Sequence, residues 1–263
     1  METPPTLASL LGPISHEISF CIVGGPPAGG GSLRGELVAG ACRDLHGNLL
    51  IGVDFIDIRP HIIEPHVRDQ TPLGLEFLAH MAKQKNGGLQ PDTPIAKGLA
   101  GKIIEHHEKG VRQIVLRGYP RNTFQAGELI SVGAPIKTVL FQRDLEECKR
   151  NFNNPSRRAA SRDDDAVVQQ LVGRFENTWL KETLPALRKL RRHALSRDGS
   201  TYHERKTPPT GPDLAADILF LLQHGLTMST ETLIQIIANL ANNEHPAGQK
   251  LRLCTEEDRR RTL

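Results

Sequence analysis

The stretch Cys21-Ile22-Val23-Gly24-Gly25-Pro26-Pro27-Ala28-Gly29-Gly30-Gly31-Ser32 decides how this chain is read. Residues 18–23 are a short apolar run that ends in glycines, the pattern of a strand buried on both faces of a parallel sheet. Residues 33–42 then carry helical character. Strand, glycine turn and helix together form the setting in which G-x-x-x-x-G-K-[ST] cradles phosphate. Gly24, Gly29 and Ser32 suit that frame, with one additional glycine before the hydroxyl. Gly30 stands where the lysine belongs. The backbone of Gly24, Gly25, Gly29, Gly30 and Gly31, with the helix N-terminus, can still cradle an anion. The charge that reaches the β- and γ-phosphates is missing.

Outward from this loop, strand and helix signals alternate. Residues 49–53 read as a second strand, 113–116 as a third that stops at Gly118 and Pro120, and 136–141 as a fourth. Helices are expected over 72–85, with Leu73, Leu75, Leu78 and Met81 near one face, over 94–109, ended by Gly110, and over 145–151. A long helix from about 166 to 192 holds Trp179, and a short strand falls near 201–203. Asp213 can cap a helix running to Gln223, and Ser229 or Thr230 another, with Leu233, Ile234, Ile236, Ile237 and Leu240 as its apolar stripe. That stripe reads first as docking on the parent domain and second as a surface for a protein partner. The alternation predicts an α/β fold with a parallel sheet and helices on both faces. Ligands of such sheets bind at the carboxyl ends of strands, where Gly24-Gly25 and Gly118-Tyr119 fall.

Composition narrows the function classes. The chain has 263 residues, 38% hydrophobic and 24% charged, as ordinary globular domains do. A net charge of +3 is too mild to imply a nucleic-acid partner. The four cysteines form no C-x-x-C pair, so no zinc site is expected, and reduced thiols suit a cytoplasmic location. No leader-like pattern opens the chain, and the apolar run 218–222 is too short to span a bilayer, so no membrane association is expected. His106-His107 read as helix-surface residues and Cys21 as a small buried one.

Three separated motifs resemble the adenylate kinase and nucleoside monophosphate kinase family. Residues 24–32 resemble its G-G-P-G-S-G-K-G-T loop. Pro72-Leu73-Gly74 and Leu89-Gln90-Pro91-Asp92 are similar to its P-L-G and L-V-P-D segments. Gly118-Tyr119-Pro120-Arg121-Asn122-Thr123-Phe124-Gln125 is similar to G-F-P-R-T-x-x-Q, and Arg162-Asp163-Asp164-Asp165 to the R-x-D-D end of a short lid. Order and spacing agree from about residue 18 to 179. The resemblance implies a three-layer P-loop NTPase fold. It comprises an N-terminal tail (1–16), a main domain (17–224) with its lid at about 151–165, and a C-terminal helical extension (225–263).

By the same resemblance, Arg121 contacts the α-phosphate of AMP, Gln125 the Watson–Crick edge of adenine, and the backbone at Gln90 lines the base pocket. Arg162 and Arg174 correspond to lid and lid-proximal arginines. The departures fall at the chemistry. Besides Gly30, Arg117 replaces the aspartate of D-G-F-P-R that supports Mg²⁺, and Glu64 replaces an arginine for the monophosphate, with Arg59 or Arg68 as substitute charges. Phosphoryl transfer rests on positioning and electrostatic stabilisation. These substitutions therefore imply a degenerate, pseudokinase-like protein that binds adenine nucleotide, AMP over ATP, for a binding, regulatory or scaffold role, with Mg²⁺ present only alongside ATP. The alternative is an active nucleoside monophosphate kinase in which Arg117 supplies the relocated charge.

Overall fold

The computed structural model describes residues 4–25, 31–43, 51–83, 91–142, 173, 175–206 and 214–242. Five strands form one all-parallel sheet in the order β2-β3-β1-β4-β5. They are β1 (Ser19–Gly24), β2 (Val53–Asp57), β3 (Gln113–Arg117), β4 (Ile136–Gln142) and β5 (Thr201–Lys206). Side-chain alternation splits the sheet into two buried faces. Phe20, Ile22, Ile114, Leu116, Ile136 and Leu140 face one core, while Cys21, Val23, Val115, Val139 and Phe141 face the other.

The first core is covered by α1 (Leu7–Leu11), α4 (Pro72–Lys83), α5 (Asp92–Glu108), α6 (Thr123–Ser131) and α7 (Leu184–Ala194). Short α3 (Glu64–Arg68) lies before α4. The second core is covered by α2 (Gly31–Ala41), α8 (Leu214–Gly225) and α9 (Thr230–Asn242). The result is the three-layer α/β arrangement that the alternation predicted. Among the described residues no helix is long and apolar enough to cross a membrane.

Several details differ from the sequence expectation, each for a physical reason. The second strand begins at Val53, not at 49, because it contains Asp54 and Asp57, which break the apolar pattern. Asp54 receives a hydrogen bond from Arg43 at 2.5 Å. The short strand expected near 201–203 runs through Lys206 and pairs along its length with β4. The long helix is continuous from Phe175 to Ala194 but changes its turn width along the way. Phe175–Thr183 has widened, π-helical turns, and regular helix takes over at Leu184 with Pro185 in its first turn. Proline lacks the N–H that would continue the preceding ladder. His106 is 7% exposed, with Nδ1 3.3 Å from Asp54 Oδ2, so it is not a surface residue. Residues 1–16 include α1, whose Leu7 and Leu11 lie in the core. In α9, Ile236 is buried against the body and Ser229 Oγ accepts the Thr232 N–H, while Ile234 is exposed. The helix expected over 145–151 lies outside the described residues.

In α4 only Leu73 of the expected stripe packs against the core. Leu75, Leu78 and Met81 are exposed, and Phe77 and Gly74 are buried instead. Gly74 decides this register. A Cβ built on it would stand 1.9 Å from the His66 carbonyl oxygen in α3, so the helices approach too closely for any side chain. Gly74→Ala is expected to lower stability by about 1–3 kcal/mol, the usual cost of overpacking. Denaturant midpoints measure this, with Leu75→Ala as a control expected within about 0.5 kcal/mol.

Candidate functional site

The strand order places β1 in the middle, with β2 and β3 on one side and β4 and β5 on the other. The chain thus changes direction across the sheet at β1, whose carboxyl end is the natural ligand crevice of such a fold. Ile22 of β1 pairs with Leu116 of β3. Gly24 ends β1, and Gly118 follows the last residue of β3, so both lie at the carboxyl ends of neighbouring strands.

On the β1 side, Gly24 lies opposite Leu140 and leaves room for Leu187 of α7, whose Cδ1 would be 2.9 Å from an added Cβ. Gly25 runs along β4, with the Phe141 carbonyl 3.3 Å from its would-be Cβ. Gly31 and Ser32 open α2. Gly29, Gly30, Gln90, Arg162 and Arg174 lie outside the described residues. One turn into α2, Arg34 is wholly buried. Its Nε donates to Asp217 Oδ2 of α8 at 2.9 Å, and its guanidinium lies over the Phe141 ring, 4.5 Å from the centroid. Arg205 of β5 donates to the other Asp217 oxygen at 2.7 Å.

On the β3 side, Gly118 has φ +79°, a conformation open to glycine and strained for other residues. It turns the chain sharply into the cis Tyr119–Pro120 bond. Arg117, the last residue of β3, is held by its register neighbour on β2. Its Nη1 donates to Asp57 Oδ2 at 3.0 Å, and Asp57 is buried. Asp57 Oδ1 also accepts the Arg59 N–H at 3.3 Å. Arg59 pairs through its side chain with Glu64 at 2.8 Å, and Arg68 pairs with Asp69 at 2.8 Å. Each substitute charge for the monophosphate therefore already holds a carboxylate. Arg121 is exposed and donates from Nε to the Gly118 carbonyl at 3.1 Å. Its Nη2 and Asp57 Oδ1 each lie 3.5 Å from the point where a Gly118 side chain would begin. Desolvation by the surrounding protein lowers the Arg121 pKa, Asp57 opposes this, and Arg117 and Arg59 add to it. Three guanidiniums, of Arg59, Arg117 and Arg121, thus gather at this edge around Asp57 and Glu64.

Gln125 sits behind Arg121 and is 3% exposed. Its Oε1 accepts the Arg121 N–H at 2.7 Å, and its Nε2 donates to Asp92 Oδ1 at 2.8 Å. Asn122 caps α6 by accepting the Gln125 N–H at 2.8 Å, and its Nδ2 donates to the same Asp92 oxygen at 3.0 Å. Asp57 was not singled out in the sequence, and Asp92 entered only as the end of the Leu89-Gln90-Pro91-Asp92 segment. Their signal was an arginine at the end of β3 with no local partner and an aspartate at the first position of α5.

The thiols of Cys21 and Cys42 are buried, and burial pushes both up to about 12, so neither is a nucleophile near neutrality. Among the described residues no group of three or more His, Cys, Asp or Glu side chains could hold a metal ion. No family model matches this chain, and no curated protein matches it in sequence.

Proposed function

We propose that this chain is a degenerate adenylate-kinase-like protein on a P-loop-type scaffold. It binds a nucleoside monophosphate at the carboxyl edge of its sheet, AMP more tightly than Mg-ATP, and transfers phosphate weakly or not at all. Its role is binding, regulatory or scaffolding. The observation that carries this reading is the Arg117–Asp57 ion pair. Arg117 is the cation best placed to replace the lost lysine, and a buried carboxylate already neutralises it. Arg34, the next cation after the glycine loop, is likewise engaged by Asp217. The Arg121 guanidinium lies in the field of Asp57 but, among the described residues, its hydrogen bond goes to the Gly118 carbonyl, a neutral partner that a phosphate oxygen outcompetes.

Titration calorimetry tests this. AMP should give a measurable heat and Mg-ATP a weaker one, with Mg²⁺ required only for the latter. Arg121→Ala should weaken AMP by about 1.5–3 kcal/mol, the range for a charge-assisted hydrogen bond. Absence of any heat with millimolar AMP, or unchanged affinity in the variant, would remove the reading.

A further inference from the structure

We infer that the monophosphate site recognises the phosphate and not the nucleobase, and that Gln125 is a positioning residue for Arg121. This rests on the anion-site reading above and narrows its ligand to phosphomonoesters of any base.

A carboxamide reads adenine by offering one acceptor and one donor to the base edge. Gln125 is 3% exposed, and each end of its carboxamide already holds a partner inside the protein. Oε1 takes the Arg121 backbone N–H at 2.7 Å, and Nε2 serves Asp92 Oδ1 at 2.8 Å. The side chain is buried, so an adenine that displaced these bonds would strand the Arg121 N–H and remove a donor from Asp92, each a cost in a desolvated place. Asp92 is itself fixed, because Asn122 Nδ2 donates to the same oxygen at 3.0 Å. The network therefore closes on itself: Asp92 holds Gln125 and Asn122, Gln125 holds the backbone of Arg121, and Arg121 presents its guanidinium at the Gly118 turn. What remains accessible at this edge is the Arg121 guanidinium, which suits phosphate oxygens.

The experiment is calorimetric titration of the full chain with AMP, GMP, CMP, UMP and ribose 5-phosphate. The expected result is five affinities within about threefold of one another, since the Gln125 carboxamide is buried and held by Arg121 and Asp92. Gln125→Ala and Asp92→Ala should each weaken all five ligands together by about tenfold, leaving their ratios unchanged, because both act through Arg121. Binding of AMP more than about tenfold tighter than GMP or UMP overturns the inference while sparing the anion site. So does a loss in Gln125→Ala confined to AMP. No heat with any ligand, ribose 5-phosphate included, overturns the anion-site reading and this inference with it. The comparison among ligands uses the unmodified chain, so it stands even if a variant fails to fold.

Discussion

In a coupled assay with Mg-ATP and AMP, this chain is expected to turn over at least about a thousandfold more slowly than the roughly 1–100 s⁻¹ of ordinary kinases. Removing one preorganised donor to developing charge costs about 10²–10³ in rate. On the proposed reading, Gly30 stands in place of the loop lysine and Arg117 in place of a carboxylate that would support the metal. Arg117 makes no amends, because its guanidinium is bound to Asp57 at 3.0 Å. The same pair shapes the restoration experiment. Gly30→Lys rebuilds the anion cradle, but Arg117→Asp alone would set a second carboxylate opposite buried Asp57. Mg-ATP affinity is therefore expected to recover best in the triple change Gly30→Lys, Arg117→Asp and Asp57→Ser, and hardly at all in Arg117→Asp. Turnover in the ordinary range by the unmodified chain would sink the proposal and favour an active nucleoside monophosphate kinase.

Asp217→Ala is expected to destabilise the fold by about 3–5 kcal/mol. Asp217 is fully buried and receives Arg34 at 2.9 Å and Arg205 at 2.7 Å. Truncating it removes the α8 carboxylate that the wholly buried Arg34 shares with Arg205. The aromatic rings of Phe141 and Phe220 stack on the two guanidiniums but carry no full counter-charge. Urea unfolding measures the loss as a lower midpoint at unchanged slope. A buried pair replaced by apolar groups of similar size often costs little, so Arg34→Met with Asp217→Leu should recover most of the stability. A loss below about 1 kcal/mol in Asp217→Ala would mean that the pair does not tie α2 to α8.

The central strands were legible because they carry apolar runs, closed by glycine in β1 and β3. β1, β3 and β4 lie between other strands, and in β4 the run Val139-Leu140-Phe141 follows Lys137 and Thr138. β2 was displaced because Asp54 and Asp57 punctuate it, and the partners that make those carboxylates tolerable, Arg43 and Arg117, come from other elements. β5 is a polar edge strand whose identity lies in its ladder with β4. The stripe in α4 misled because apolar spacing alone cannot show that Gly74 must face α3. At the site, sequence located Arg117, Arg121 and Gln125 at a strand end. It could not show that Asp57 and Asp92 occupy two of them, since both pairings depend on elements distant in the chain.

The strand order also bears on how the molecule is made. β1 is synthesised before both its neighbours, residues 113–116 and 136–140. No ladder in this sheet joins strands that are close in sequence, because each parallel pairing spans an intervening crossover. On the ribosome the nascent β1 must therefore wait, apolar on both faces, until more than a third of the chain has followed it. Loop closure on that scale is slow, and unpaired apolar strands are open to association during the delay. A release series of nascent chains should show protease resistance only once β4 has left the exit tunnel, and chaperone dependence should be greatest between the emergence of β1 and that of β3.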